Sequence, residues 1–414
     1  MLSTLYSRID FGKTYLYLSF LLAFSAPFSW KISRILLILI IVVWFIEADY
    51  KKFFNGIKQS KFLTFLTLFV SFQLISMFWT ETSYAESHSY FNNYLLWFAI
   101  PVLSVSLKHE DLSRIITVFL SAMFISEVIA YGMYFELWTI RGHGPEYPSP
   151  FMHHGAYSIF MAFTALLLLN RIYSSLYSNR EKIVMGIFFL TISGNLFISQ
   201  GRIGQFAYAL AILSASVIHF RLRVKTLALS TVLIAALFTA AYQMSPMFQH
   251  RIEIAKNDIA KIMDGNLGSS WGIRVAYIIL GAEIIKDHPI IGVGIGDVRA
   301  VAQHYIDNDH VKLPGGIKRF LPKHQFHNQY LMVMVQSGFI GILLFLAMFY
   351  ALFRLPIVNK ETKQTSILFG IIFMVAFISN PFLLVNETRT LFILFTSIFA
   401  AFSFPSGQTR EIQT

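Results

Sequence analysis

The sequence predicts an all-α, multi-span membrane protein, and three observations carry that expectation. The 414 residues are 56% hydrophobic and only 13% charged, about half the charge of an ordinary soluble domain. Mean hydropathy is +0.60, with the apolar residues in repeated runs of about 16–22, the length that crosses a bilayer as a helix. The basic residues rise and fall from loop to loop, as the positive-inside rule requires. Composition excludes disordered, collagen-like and disulfide-scaffold chains. The absence of cysteine removes thiol catalysis and cysteine-ligated metals as well.

Windows of about 19 residues place helices at 13–29, 33–49, 62–79, 92–107, 115–136, 155–170, 183–200, 203–220 and 226–243, then at 328–353, 365–384 and 388–404. That is about 12 spans. The first, behind Arg8 and Lys13, is shaped like a signal peptide. Its removal would invert every later loop, so it reads as a retained span. With the N-terminus in the cytoplasm, eighteen Lys and Arg fall inside, among them Arg8, Arg221 and Arg410. Five fall in short outer loops: Lys31, Arg34, Arg141, Arg202 and Arg389. The net charge of +11 therefore reads as a topology signal, and no nucleic-acid partner is expected. Three parts follow: 1–243 with spans one to nine, 244–327 as a large outer loop region, and 328–414 with the last three spans.

The outer region reads as amphipathic helices and turns. Ser269 and Ser270 are N-cap candidates before Trp271, Val275, Ile278, Ile279, Ala282 and Ile285, which share one helical face expected to pack on the bundle. His288-Pro289 ends that helix, and Ile291–Gly296 is a glycine-punctuated turn. Gly292-x-Gly294-x-Gly296 superficially matches a nucleotide loop, but no strand precedes it.

Three residues on the outer side carry candidate chemistry. Arg202 stands in the short turn Ser199–Gly204, at membrane level, where an unpaired cation is costly and usually has a partner or an anionic ligand. Arg274 lies in the first turn of the Trp271 helix, where a cation opposes the helix dipole. His327-Asn328 opens the tenth span, followed after nine residues by Gly338-Phe339-Ile340-Gly341, whose glycines permit close approach or a helix break. Taken singly, each has a bland reading as a headgroup contact or interfacial hydrogen bonder. Taken together, two guanidiniums grip phosphate oxygens and an imidazole accepts a proton near neutral pH. Such a set suits a phosphate- or pyrophosphate-linked donor handed to a hydroxyl acceptor.

Weaker constellations remain. His324-x-x-His327 has a spacing that metals use, but no third ligand is evident, so neither metal nor cofactor is expected. His143, His153 and His154 flank a proline-rich outer loop and either line an acceptor entrance or sit at the interface. Glu127, in mid-span, is expected to make a buried hydrogen bond to a neighbouring helix. Asn328, His324, His154, Glu387 and Arg389 are candidates for the rim of a site.

The motifs resemble those of the O-antigen ligase family, within the wider ligase and polymerase superfamily. His327-Asn328…Gly338…Gly341 is similar to the family's His, then Asn, Ser or Gln, then nine residues, then Gly-x-x-Gly. Arg274…His288-Pro289-Ile290-Ile291-Gly292-Val293-Gly294 resembles its Arg, helix, His-Pro, Gly-x-Gly block, and Arg202 its other arginine. Twelve spans with the large outer loop between the ninth and tenth also fit. The resemblance implies a GT-C-like enzyme at the periplasmic face of a bacterial inner membrane, with both termini cytoplasmic. Its partners would be an undecaprenyl-pyrophosphate-linked glycan donor, a lipid A-core acceptor and membrane lipids. Transfer to an acceptor sugar hydroxyl would invert the anomeric centre without a metal. Arg202 and Arg274 would bind the pyrophosphate, and His327 would be the candidate base. An O-antigen polymerase or a protein O-oligosaccharyltransferase shares that donor chemistry. A lipid or glycan transporter is the alternative from another class. Transporters tend to show repeats, matched broken helices and midplane charges; one midplane carboxylate and no repeat favour the enzyme.

Overall fold

Capping side chains open the apolar runs. Ser29 accepts from Ile32 N, Ser178 forms a reciprocal capping box with Glu181, Asn328 accepts from Leu331 N, and Asn359 accepts from Thr362 N. The computed structural model describes residues 10–81, 84–220 and 223–405. Arg8, Arg221, Arg410 and both termini, assigned above to the cytoplasm, lie outside these. The described residues form α-helices and short 3-10 turns, with no strand.

In chain order the helices are α1 (Phe11–Ser25), α2 (Trp30–Glu47), α3 (Tyr50–Gln59), α4 (Lys61–Ile75), α5 (Tyr84–Leu95), α6 (Ala99–Ser106), α7 (His109–Tyr134), α8 (His154–Tyr173), α9 (Asn179–Ile198), α10 (Arg202–Phe220), α11 (Val224–Met244), α12 (Pro246–Met263), α13 (Ser270–Asp287), α14 (Val298–Asp307), α15 (Gly315–Phe320), α16 (Gln329–Phe353), α17 (Lys360–Ala376) and α18 (Asn386–Ala401). Among the described residues six are long and apolar enough to cross a membrane: α4 with its 3-10 extension to Trp79, α7, α8, α9, α10 and α16. A seventh arises if α11 and α12, bent by 102° at Ser245-Pro246, count as one.

Of the remaining apolar segments, α2 is long enough but carries Lys31, Arg34 and Glu47, and the others are shorter or interrupted. The segment expected at 92–107 breaks at a 3-10 turn, Leu96–Phe98, because Pro101 has no N–H for the Trp97 carbonyl. The segment expected to reach 384 stops at Ala376, since Pro381 disfavours a helical Asn380.

α8 is the central helix, packed against α9, α10, α17 and α18. Phe119, Phe163, Phe369 and Phe395 interlock there, with Phe163 and Phe395 ring centroids 4.5 Å apart. By contrast, α2 buries Ser33, Leu36, Leu37 and Ile40 while exposing Ile32, Ile35, Leu39, Val42, Phe45 and Ile46 on its other face. A continuous apolar stripe of this kind suits lipid rather than water. Glu127 is buried and bonded to the neighbouring α9 as expected: Asn195 Nδ2 donates to its backbone carbonyl (3.3 Å), and its carboxylate is within hydrogen-bonding reach of Thr191 on the same helix.

One expectation is reversed. α13 buries Gly272, Ala276, Tyr277, Leu280, Gly281 and Ile284, whereas Trp271, Ile278 and Ile279 are exposed. Apolar residues occur on every side of this helix, so spacing alone does not select a face. Small residues decide it, because they allow close approach: a Cβ on Gly281 would lie 2.6 Å from Leu331.

The glycine motifs bind each other. α16 is interrupted at Gly338 (φ 58°, ψ −157°). The loop after α13 lies along the break, where Val293 N and Gly294 N donate to the Val335 and Gln336 carbonyls. In return Phe339 N and Ile340 N donate to the Pro289 and Ile290 carbonyls. Gly292-x-Gly294-x-Gly296 thus serves as a structural splint, and it holds α13 beside the start of α16.

Candidate active site

Glycine places Arg202. A Cβ on Gly201 would lie 2.2 Å from Ser158 Cβ and 2.7 Å from the His154 carbonyl oxygen, so the Ser199–Gly201 turn docks on α8 only without a side chain there. Arg202 then heads α10. Arg274 stands one turn into α13, behind the Ser269 cap, and its Nη1 donates to Ser270 O (2.6 Å) and Ser270 Oγ (3.0 Å). Its Nε donates to Ser379 O (3.3 Å), beyond α17. His327 ends the loop that leads into α16, edge-on to the Tyr277 ring.

These three residues, far apart in sequence, line one cavity of about 790 Å³. His153, His154, Arg251, Asp258, Ser379 and Asn380 share its polar lining, and Phe206, Trp271, Val375 and Phe382 its apolar wall. Residues 187–346 match the family model for O-Antigen ligase. That match supports assignment to the O-antigen ligase family, and with it a ligase- or polymerase-type glycosyltransferase. No curated protein matches the chain.

The segment matched to O-antigen ligase holds Arg202, Arg251, Asp258, Arg274 and His327. His153, His154, Ser379 and Asn380 come from outside it. Asn380 Oδ1 accepts from His327 Nδ1 at 3.0 Å, which fixes the tautomer and leaves Nε2 as the basic nitrogen. Burial is the main influence lowering the His327 pKa below its ordinary value; the Asn380 bond opposes it, and nearby Arg274 adds to it. Burial likewise lowers the Arg274 pKa, with Arg202 adding repulsion and Asp258 opposing it. The His153 and His154 rings lie with centroids 3.9 Å apart, tilted by 36°, and Tyr147 Oη accepts from His154 N at 3.0 Å.

Among the described residues no ion pair joins Arg202, Arg251 or Arg274 to a carboxylate. Asp258 is 5% exposed, with Oδ2 unpartnered. The cavity therefore holds cations whose compensating charge the protein does not supply at contact distance. Nor do three or more His, Asp or Glu gather among the described residues to hold a metal ion.

Of the expected rim, His154 lines the cavity and the other four residues do not. His324 is exposed and stacks on Phe320 at 4.0 Å. Asn328 caps α16, and its Nδ2 donates to Ile378 O. Arg389 is 1% exposed beneath the start of α18, held by Asn386 and the Leu384 carbonyl, with Glu387 nearby. His143 is exposed in a turn and is not part of the cavity lining, its ring 4.7 Å from that of Tyr147, which contacts His154. Sequence reasoning missed Arg251, Asp258 and Asn380. The first two had a readable signal, since Arg251, Ile254 and Asp258 recur on one helical face. Asn380 had none, because its partner His327 is 53 residues away.

Proposed function

We propose that the chain is an O-antigen ligase that transfers a glycan from undecaprenyl pyrophosphate to a sugar hydroxyl of lipid A-core. The observation that carries this reading is the convergence of Arg202, Arg274 and His327 on one cavity, with the guanidiniums unpaired by carboxylate. In the proposed reaction the acceptor oxygen attacks the anomeric carbon as the bond from that carbon to the pyrophosphate oxygen breaks. His327 Nε2 takes the acceptor proton, and the leaving pyrophosphate keeps the bonding electrons. Arginines disperse the charge it develops, a role otherwise given to a divalent ion. Direct displacement from the opposite face inverts the centre, and no metal is required.

The proposed topology has about twelve spans with both termini in the cytoplasm of a bacterial inner membrane and the cavity at the periplasmic face. The eighteen-to-five charge asymmetry of the loops supports it. Residues 1–243 and 328–414 would form the membrane bundle, and 244–327 the outer region packed on it.

Deleting the gene and separating the lipopolysaccharide on a gel tests the function. The expected result is loss of the whole core-attached ladder, restored by the wild-type gene. A single-repeat band would instead indicate a polymerase, and an unchanged pattern protein glycosylation or transport.

The His327 pKa direction sets the pH dependence. A base must be unprotonated, and burial holds the His327 pKa below that of an ordinary histidine. kcat/KM is therefore expected to decline towards low pH with a midpoint below that of an ordinary imidazole. The residual rate of His327→Gln should lack that decline. A wild-type midpoint above that of an ordinary imidazole, or an unchanged profile in the variant, would contradict the assignment.

A further inference from the structure

Arg251 is a third cation in the cavity, and neither sequence motif contains it. It lies on α12 with Ile254 and Asp258 on the same cavity-facing side. Its Nη2 donates to Gln200 Oε1, and Gln200 Nε2 donates in turn to the Glu146 carbonyl oxygen (2.5 Å). This chain of bonds ties α12 to the turn before α10 and to the loop before α8, so the guanidinium is held in place before any ligand arrives. The tether occupies one end of the fork. Nε is buried without a partner, and so is Nη1 of Arg202. The two arginines are near enough to repel each other.

Like charges with orphaned donors are costly to hold together in a half-buried site unless an anion joins them. The cavity's own carboxylate, Asp258, lies near Arg202 and Arg274 but, among the described residues, forms an ion pair with neither. Three guanidiniums against that one carboxylate leave two positive charges. A diphosphate esterified by a lipid at one end and a sugar at the other carries two negative charges. The corresponding monophosphate diester carries one. Arg202 and Arg274 beside Asp258 balance the monophosphate; the second charge of the diphosphate needs one more cation.

We propose that Arg251 grips the second phosphate and makes the cavity prefer diphosphate-linked over monophosphate-linked lipid sugars. The inference rests on the reading of this cavity as the donor-phosphate site. The Arg251 guanidinium, pre-positioned by Gln200, loses little freedom on binding, which favours it over a mobile surface lysine in this role.

The full-length protein in lipid nanodiscs is titrated with two probes, polyprenyl diphosphate glucose and polyprenyl monophosphate glucose. Wild type is expected to bind the diphosphate about tenfold or more tightly, the scale of one charge-assisted fork. In Arg251→Ala that preference should fall to about twofold or less, through loss of diphosphate affinity. Arg251→Lys should recover part of it, whereas Arg202→Ala should weaken both probes. Thermal unfolding checks each variant, and Arg251→Gln replaces the alanine variant if the latter does not fold. A merely structural tether would lower the melting temperature and leave the ratio unchanged. Retention of the wild-type ratio in Arg251→Ala overturns the inference while leaving the donor-phosphate reading intact. Equal binding of both probes by wild type also overturns it, and binding of neither overturns the donor-phosphate reading itself.

Discussion

Arg274→Ala is expected to lower glycan transfer about a hundredfold or more, the scale seen when a preorganised donor to developing charge is removed. Its side chain already bonds Ser270 and the Ser379 carbonyl, so it meets the leaving group without reorganising. Arg274→Lys keeps the charge but not the fork and should recover only a small part of the rate. Arg202→Ala should lose transfer on the same scale, with a different signature in stability. Its Nη1 is buried without a partner, so removing the cation relieves desolvation and repulsion. The melting temperature of Arg202→Ala should therefore hold or rise while activity falls, the opposite of what a structural arginine would give. Initial rates with purified donor and acceptor, alongside thermal unfolding, measure both quantities. The assay should run equally well in EDTA, because the arginines carry the charge compensation. Near-wild-type rates for both alanine variants would remove the pyrophosphate role.

Gly338→Ala should cost about 3 kcal/mol or more, combining a strained backbone with an unavoidable clash. At φ 58° and ψ −157° the residue occupies a region essentially closed to side chains. An added Cβ would lie 2.4 Å from both the carbonyl carbon and the carbonyl oxygen of Ile290. Backbone atoms cannot swing aside as a flexible side chain can, so the splint between α16 and the loop after α13 would have to open. That splint sets α13, and hence Arg274, beside His327. A sharp fall in the yield of monodisperse protein and in melting temperature is expected. Gly315→Ala is the control, since nothing lies within 4 Å of a Cβ there, and its melting temperature should stay put. A Gly338→Ala protein as stable as wild type would show that the break is not required.

Residues with strong local physics were legible in the sequence. Ser269 caps α13, and the helix ends at Asp287 before His288-Pro289, because caps and prolines act on their immediate neighbours. Arg202, Arg274 and His327 stood out because each was an ionisable group where the local pattern disfavoured or singled it out, and all three reach one cavity. The inward face of α13 was misjudged for an equally physical reason. Where apolar residues occur on every side of a helix, periodicity has little contrast, and the partner's shape chooses the face through Gly272, Ala276 and Gly281.

The sequence by itself determined that this chain is helical and apolar and which motif residues carry candidate chemistry. These follow from composition, hydrophobic run length and short-range spacing, which act within a few turns of chain. Only the tertiary structure decided that Asn380 orients His327, that Arg251 and Asp258 share the cavity, and that Asn328 and Arg389 stay out of it. Those outcomes depend on which helix ends meet across tens to hundreds of residues, and packing, rather than local preference, selects among such meetings.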